Sequence, residues 1–154
     1  MELKRRLLED ESDVLASFWV PENQNTSVRE NQLLVIRYHG VYRNGSEGNP
    51  DAAYMAAIGR AAIEVFEPAA VVIDLCDLSY QWGDMLDSVW NIGRDPVWET
   101  QLPCAVVVGD KCRAAVGTLI FGAGSTTDAC EEEFVFDTLV AAIAYVTAKR
   151  SQDE

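Results

Sequence analysis

The sequence has one histidine, few basic residues and no closely spaced cysteines, and each of these shortages excludes a class of protein. Its 154 residues include 12 Lys and Arg against 25 Asp and Glu, which gives a formal net charge of −13. Nucleic acids and anionic membranes bind proteins through a basic surface, so we expect neither as a partner. The acidic excess favours solubility and lets a basic protein be attracted over a distance.

The cysteines are isolated from one another, and no apolar run is long. Cys76, Cys104, Cys112 and Cys130 form no CxxC pair, which argues against a zinc knuckle or a thioredoxin-like motif. We expect these residues to act as small apolar side chains. Because no segment reads as a signal peptide or could span a bilayer, we expect a cytoplasmic protein.

Catalytic and nucleotide-binding motifs are also missing. The sequence has no Walker motif and no GxGxxG, and the stretch Gly122–Gly124 follows a predicted helix instead of a strand. A catalytic triad would need the only histidine, His39, beside Ser79 or a cysteine, together with an acid. We therefore expect no catalytic residue, no metal ligand and no cofactor. The acidic run Asp128–Glu133 is interpreted as a solvated loop or as a docking site for a basic partner.

Strand and helix patterns alternate along most of the chain. Apolar β-branched runs predict the strands, and apolar residues three or four positions apart predict the helices. The predicted strands are Leu33–Tyr38 with a continuation through Val41, Ala70–Leu75, Pro103–Val108 and Glu133–Phe136. The predicted helices are Asp51–Phe66, Asp84–Asn91, Lys111–Phe121 and Thr138–Lys149, with Asp110 and Asp137 as N-caps of the last two. This order predicts an α/β fold, a single domain with a mostly parallel sheet of four to five strands.

Residues 1–31 precede the alternating pattern and are predicted to form a separate segment. Apolar residues within Met1–Trp19 approximate one helical face, which predicts an N-terminal amphipathic helix or arm. The polar stretch Pro21–Asn31 is predicted to be a linker. The domain itself is expected over residues 32–150.

The segment Asp74–Asp84, DLCDLSYQWGD, is the predicted functional region. It follows a buried strand, and partners meet open parallel sheets at the carboxyl ends of their strands. Tyr80 and Trp82 belong to residue types that are common in binding hot spots, so we interpret them as partner contacts or as packing residues. Trp90 and Trp98 are interpreted as packing residues that cover the sheet.

Four stretches of the chain resemble STAS domains, the fold of bacterial anti-sigma-factor antagonists. They are VVIDLCDLSY, PCAVVVGDKCRAAVGTLI, EFVF and FDTLVAAIAYV, and the similarity extends from Leu33 to about Thr147. The resemblance implies a kinase partner and a phosphorylatable Ser or Thr, after an Asp, at a helix start. That pair corresponds here to Trp82-Gly83, so Gly83 replaces the acceptor and switching by phosphorylation is not expected. Asp84 is interpreted as a helix N-cap or as a permanent negative charge in place of phosphate.

These observations predict a STAS-like, regulatory protein-interaction module without enzymatic activity. The predicted partner is a protein, either kinase-like or anti-sigma-like, or a basic protein, and the oligomeric state is left open with a dimer included. The predicted partner-binding residues are Tyr80, Trp82, Gly83, Asp84, Met85, Asp87, Ser88, Lys111 and Arg113.

Two other classes of function are alternatives. One is an acidic inhibitor or immunity-type protein that covers a basic surface of its target. The other is a small-ligand domain or degenerate enzyme, for which the sequence predicts an apolar cleft below Trp82. SYQWGDML is similar to a loop of crotonase-type acyl-CoA enzymes, and GDKCRAAVGTLIFGAG is similar to the nucleophile helix of Clp protease, with Ala115 in place of the serine.

Overall fold

The computed structural model describes residues 1–22, 33–95 and 100–153. Its strands are β1 (Leu15–Trp19), β2 (Leu33–Val41), β3 (Ala70–Ser79), β4 (Arg94–Asp95), β5 (Thr100–Gln101), β6 (Cys104–Val108) and β7 (Val135–Phe136). Its α-helices are α1 (Asn49–Phe66), α2 (Arg113–Phe121) and α3 (Leu139–Asp153). Single 3-10 turns form at Leu8–Glu11, Gly45–Gly48, Leu86–Val89 and Ala129–Glu131.

Five strands form one sheet in the order β1-β2-β3-β6-β7. β1 runs antiparallel to β2, and the other neighbouring pairs are parallel. β4 and β5 form a separate short hairpin. The prediction of an α/β fold with a mostly parallel sheet is confirmed. The sheet is parallel because α1, the stretch with the Leu86–Val89 turn and the β4–β5 hairpin, and α2 each return the chain to the same end before β3, β6 and β7.

The two faces of the sheet are covered unequally. On one face, α1, α2 and the turn Leu86–Val89 enclose the larger core, which includes Ile73, Val106 and Met55 of α1. On the other face, α3 packs on β3, β6 and β7, and Val146 lies against Val72. The α3 face of β1 therefore stays open, and this part of the sheet exposes apolar side chains to solvent.

The helix predicted within Met1–Trp19 is wrong. Leu15–Trp19 forms β1 instead, paired with β2 from Leu15 opposite His39 to Trp19 opposite Val35. The backbone of β2 needs hydrogen-bond partners on both edges, and this tertiary requirement outweighs the local helical spacing. Part of the predicted linker Pro21–Asn31 lies outside the described residues.

A buried carboxylate fastens the N-terminal segment to the sheet and to α1. The side chain of Asp51, in the first turn of α1, has no solvent exposure. Its oxygens accept hydrogen bonds from Ser12 Oγ at 2.6 Å, from Arg43 N at 2.9 Å and from Arg43 Nε at 3.0 Å. Burial alone would raise the pKa of Asp51, but these hydrogen bonds and the Arg43 charge hold that pKa below its usual value.

Three predicted features of the helices need correction. Residues 84–91 form only one 3-10 turn, Leu86–Val89, because that turn already buries Leu86 and Val89 before the chain bends into the β4–β5 hairpin. Asp110 does not cap α2, since that position is taken by Cys112 and no side chain caps the helix. Asp137 does not cap α3, since the N–H of Ala141 donates to Thr138 Oγ1 at 3.2 Å.

The other predicted elements are confirmed with shifted ends. β3 continues four residues beyond the predicted end at Leu75, so half of the segment Asp74–Asp84 is strand and not loop. The last strand is shorter than predicted and begins at Val135. Trp90 is buried, in agreement with its predicted packing role, whereas Trp98 lies outside the described residues.

Candidate functional site

The loop after β3 is fixed at its start by two backbone hydrogen bonds. Tyr42 N, just beyond β2, donates to Ser79 O at 2.9 Å, and Tyr80 N donates to Lys111 O at 3.1 Å. The loop therefore begins between the end of β2 and the start of α2. This is the carboxyl end of the parallel strands, where the sequence predicted the functional region.

Tyr80 cannot contact a partner, and its predicted role in binding is wrong. Its side chain is 2 % exposed, and its ring packs edge-on against Tyr42 with the two centroids 5.1 Å apart. The Tyr80 hydroxyl donates a hydrogen bond to Gly83 O. Burial raises the pKa of both phenols, that of Tyr42 to about 12. Tyr80 is thus a buried support that holds the following loop in one conformation.

Trp82 is the exposed residue in the loop that Tyr80 holds in place. Its side chain is 62 % exposed, although the loop around it is fixed on two sides. The carbonyl of Trp82 accepts a hydrogen bond from Gly45 N at 3.1 Å, and the indole ring lies against Gly45. A large apolar side chain that is both exposed and held in place is typical of an interaction site.

Acidic side chains surround this indole. We define the Trp82 surface as the exposed residues Trp82, Asp84, Met85, Asp87 and Glu47. Met85 is 47 % exposed and adds a second apolar side chain. Neither the segment 44–48 nor the segment 80–89 contains Lys or Arg. Arg43 precedes the first segment and interacts with Glu47, but its guanidinium is paired with the buried Asp51. The surface therefore combines an apolar centre with three negative charges at its rim.

Gly83 and Asp84 differ from their predicted roles. Gly83 is buried, with φ of 149°, so its contribution is to the path of the loop and not to a partner contact. Asp84 is exposed, and it is not an N-cap, because the following turn begins at Leu86 after Met85 and has no side-chain cap. Gly83 and Asp84 thus precede a single 3-10 turn, and not the α-helix that the sequence predicted at residues 84–91.

Ser88, Lys111 and Arg113 have different surroundings. Ser88 is half-buried, and its hydroxyl donates to Met85 O at 2.7 Å, which stabilises the turn. Lys111 is exposed and lines a shallow depression with Gln81, next to the start of the loop. Arg113 is engaged within the chain.

The guanidinium of Arg113 forms a fork with Asp128, at 2.8 Å from Nη2 and 2.9 Å from Nε, and lies 3.6 Å from Asp137. The hydrogen bond to Asp128 raises the pKa of Arg113 and lowers that of Asp128. Of the predicted surface, the structure therefore brings together Trp82, Asp84, Met85 and Asp87, and assigns Arg113 to a local ion pair. Asp128 belongs to the acidic run, so that run is already engaged at this position.

Glu47 and Gly45 belong to this site, but they were not among the site residues predicted from the sequence. On the sequence alone, the run Asn44–Pro50, NGSEGNP, predicts only a turn between β2 and α1. In the structure its first glycine adopts φ of 61° and provides the flat surface for Trp82. A glycine with positive φ often marks a close approach of another group, which local pattern cannot identify.

The only histidine does lie near a serine and an acid. His39, Asp77 and Ser79 line an open depression of about 570 Å³ on the α3 face of the sheet, together with Lys111. An extra residue in β3 between Asp74 and Asp77 shifts the register there. No hydrogen bond joins these side chains within the described part of the chain, so they do not form an assembled triad.

A cleft with a mixed polar and apolar lining exists, and Trp82 is not among the residues that line it. It has a volume of about 490 Å³ and lies at the start of β6, near the opposite end of the strands. Trp90, Phe134 and Tyr145 contribute its aromatic lining, and Cys104 contributes a thiol whose pKa burial raises to about 12. All four cysteines are free.

Within residues 1–22, 33–95 and 100–153, no group of three or more His, Cys, Asp or Glu is placed to hold a metal ion. In the same ranges, no helix has the length and apolar character needed to cross a membrane. The chain has no significant match to a protein-family model, to a curated protein or to a solved structure. Its function is therefore argued from its own residues.

Proposed function

We propose that this chain is a regulatory, STAS-like protein-interaction module of the cytoplasm, without catalysis of its own, that binds a basic protein through the Trp82 surface. The observation that carries the proposal is the exposure of Trp82 in a fixed loop. Burying an aromatic side chain of this size is a major source of binding free energy, and its fixed position lowers the entropy lost on binding. The buried partners Tyr80 and Gly83 provide that fixed position.

The charge of the surface supports a basic partner. Glu47, Asp84 and Asp87 are exposed at the rim of the surface, in a chain whose net charge is −13. Complementary charge around an apolar centre increases association rate and selectivity, and it makes binding dependent on salt. A kinase-like or anti-sigma-like protein with a basic groove would fit such a surface.

This proposal does not require a phosphorylation switch. Gly83 has no hydroxyl to accept a phosphate, and Asp84 brings a carboxylate to the neighbouring position without any modification. We therefore expect the interaction to be regulated by the amount or state of the partner. An acidic inhibitor of a basic toxin would use the same surface, and the identity of the bound protein separates these two possibilities.

The experiment is affinity capture from native lysate with the wild type, Trp82→Ala and Trp19→Ala, at low and at high salt. Trp19 is the matched control, since its indole is 55 % exposed but lies opposite Val35 near the amino end of β2. We expect one basic protein with the wild type and with Trp19→Ala, and a loss with Trp82→Ala and with high salt. Equal recovery by both Trp variants would overturn the proposal.

A further inference from the structure

β1 is a strand with one free edge. It pairs with β2 on one side, and no strand within the described residues pairs with its other side. The outward backbone N–H and C=O groups of such a strand are a template for another strand. Natural edge strands are commonly protected by a charged residue, a proline or a bulge, yet the sequence of β1 is LASFW and its pairing with β2 is continuous.

The side chains of β1 are more exposed than their apolar character would favour. Leu15 is 58 % exposed, Phe18 is 38 % exposed and Trp19 is 55 % exposed. Leu15, Ser17 and Trp19 point to the face that carries α3, but α3 packs on β3, β6 and β7 and does not reach them. Free backbone groups and exposed apolar side chains therefore coincide on the same five residues.

The charge distribution indicates what can approach this edge. A net charge of −13 opposes contact between two copies over most of their surface. β1 itself is uncharged, and Arg37 on the neighbouring strand is paired with Asp74 at 3.0 Å and stacks on Trp19 at 5.5 Å from the ring centroid. The exposed Asp13 and Glu22 lie just outside β1. The five residues of β1 can therefore pair with those of a second copy without like charges directly opposite each other.

We propose that two copies of the chain associate by antiparallel pairing of their β1 strands around a two-fold axis at Ser17. A two-fold axis perpendicular to the sheet keeps the α3 faces on one side, so only residues of the same face can lie opposite each other. With the axis at Ser17, all five residues of β1 pair. Leu15 then lies opposite Trp19 of the second copy, and Ala16 lies opposite Phe18, which are favourable aromatic–aliphatic pairs. The result is a continuous sheet of ten strands.

The contact is small, and this determines how tightly the copies bind. Stable interfaces usually bury roughly 1,200 to 2,000 Å² in total. Two strands of five residues each lie at or below the lower end of that range, so we expect a dissociation constant in the micromolar range. The proposed dimer contact consists of β1 residues and includes no residue of the Trp82 surface, so either proposal can fail without the other.

The test is sedimentation velocity over a concentration series of about 1 to 500 µM, which brackets a micromolar constant, with the wild type, Ser17→Asp and Val140→Asp. Ser17→Asp places two carboxylates opposite each other on the axis, while within each chain the new carboxylate faces Arg37, so the fold is retained. Val140→Asp adds the same charge on α3, where Val140 is 80 % exposed. We expect a concentration-dependent dimer for the wild type and Val140→Asp, and a monomer for Ser17→Asp.

A second pair of variants tests the register. In a Cys76→Ser background, which removes the exposed native thiol, we expect Ser17→Cys to form an intermolecular disulfide under mild oxidation much faster than Val140→Cys. A wild type that stays monomeric throughout the series, or a dimer that Ser17→Asp leaves intact, would overturn the proposal. Equal crosslinking at positions 17 and 140 would overturn the axis at Ser17.

Discussion

The indole ring of Trp82 lies so close to Gly45 that a Cβ atom at Gly45 would come within 2.5 Å of Trp82 Cη2. Gly45 also adopts φ of 61°, and its N–H donates to the carbonyl of Trp82. The absence of a side chain at Gly45 therefore decides where the exposed indole of Trp82 rests. The Trp82 surface depends on a residue 37 positions earlier in the chain.

We expect Gly45→Ala to displace the indole of Trp82 and to weaken partner binding without unfolding the domain. The new methyl group cannot share the space of the ring, and the ring can move because it is largely exposed. Gly124→Ala is the matched control, since Gly124 also has positive φ, 83°, but no atom lies within 4 Å of its added Cβ. Both substitutions place an alanine in a left-handed backbone conformation, which lowers the free energy of unfolding by about 1 kcal/mol.

The measurement is the set of indole N–H resonances in an NMR spectrum, together with partner affinity. Gly45→Ala should shift the Trp82 resonance and reduce affinity, and Gly124→Ala should do neither. A Trp82 resonance that does not move in Gly45→Ala would contradict this role of Gly45.

Removing the hydroxyl of Tyr42 and removing that of the adjacent Tyr80 should have different effects on the free energy of unfolding. Among the buried side-chain N and O atoms of the described residues, Tyr42 Oη alone has no hydrogen-bond partner, whereas Tyr80 Oη donates to Gly83 O. We expect Tyr80→Phe to lower the free energy of unfolding by about 1 kcal/mol and Tyr42→Phe to leave it unchanged or to raise it slightly. Urea unfolding of both variants checks this, and equal losses would show that the two hydroxyls are equivalent.

Asp51 should make the stability of the fold sensitive to acid. Its pKa is lower in the folded chain than in the unfolded chain, so its contribution is present above about pH 3.9, the ordinary Asp value, and disappears as the pH falls through the folded pKa. We expect Asp51→Asn to cost about 2 kcal/mol at neutral pH, less than for a fully buried pair because Arg43 is 45 % exposed.

The difference in unfolding free energy between Asp51→Asn and the wild type should shrink below pH 4 in urea titrations. The control is Asp128→Asn, which interrupts the exposed pair with Arg113 and should cost much less. A constant difference between wild type and Asp51→Asn from pH 7 to pH 3 would contradict the assigned role of Asp51.

The strand and helix order was predictable because it depends on local patterns. The run Val71–Ile73 is apolar and β-branched, and α1 shows regular apolar spacing, so neither needs information from the rest of the chain. β1 was not predictable in this way. Its five residues fit a helical face as well as a strand, and pairing with β2, 14 or more residues later, decides between them.

The candidate site was predictable in position and not in detail. The loop lies at the carboxyl end of β3 as predicted, and Trp82 is exposed there, whereas the sequence left open whether Trp82 is a contact or a packing residue. The burial of Tyr80 was not predictable, because it depends on packing against Tyr42 from another loop. Leu86 and Val89 are three positions apart, a spacing that fits a 3-10 turn as well as an α-helix, so the short turn after Gly83 could not be distinguished from a helix.

The central claim is that the exposed indole of Trp82 binds a basic protein, and calorimetric titration of the captured protein with the wild type and Trp82→Ala tests it most directly. The account predicts a loss of about 2 kcal/mol, roughly a thirtyfold weaker dissociation constant, with unchanged thermal stability of the variant. Equal affinity for the two chains would contradict the account and would place the binding site elsewhere on the molecule.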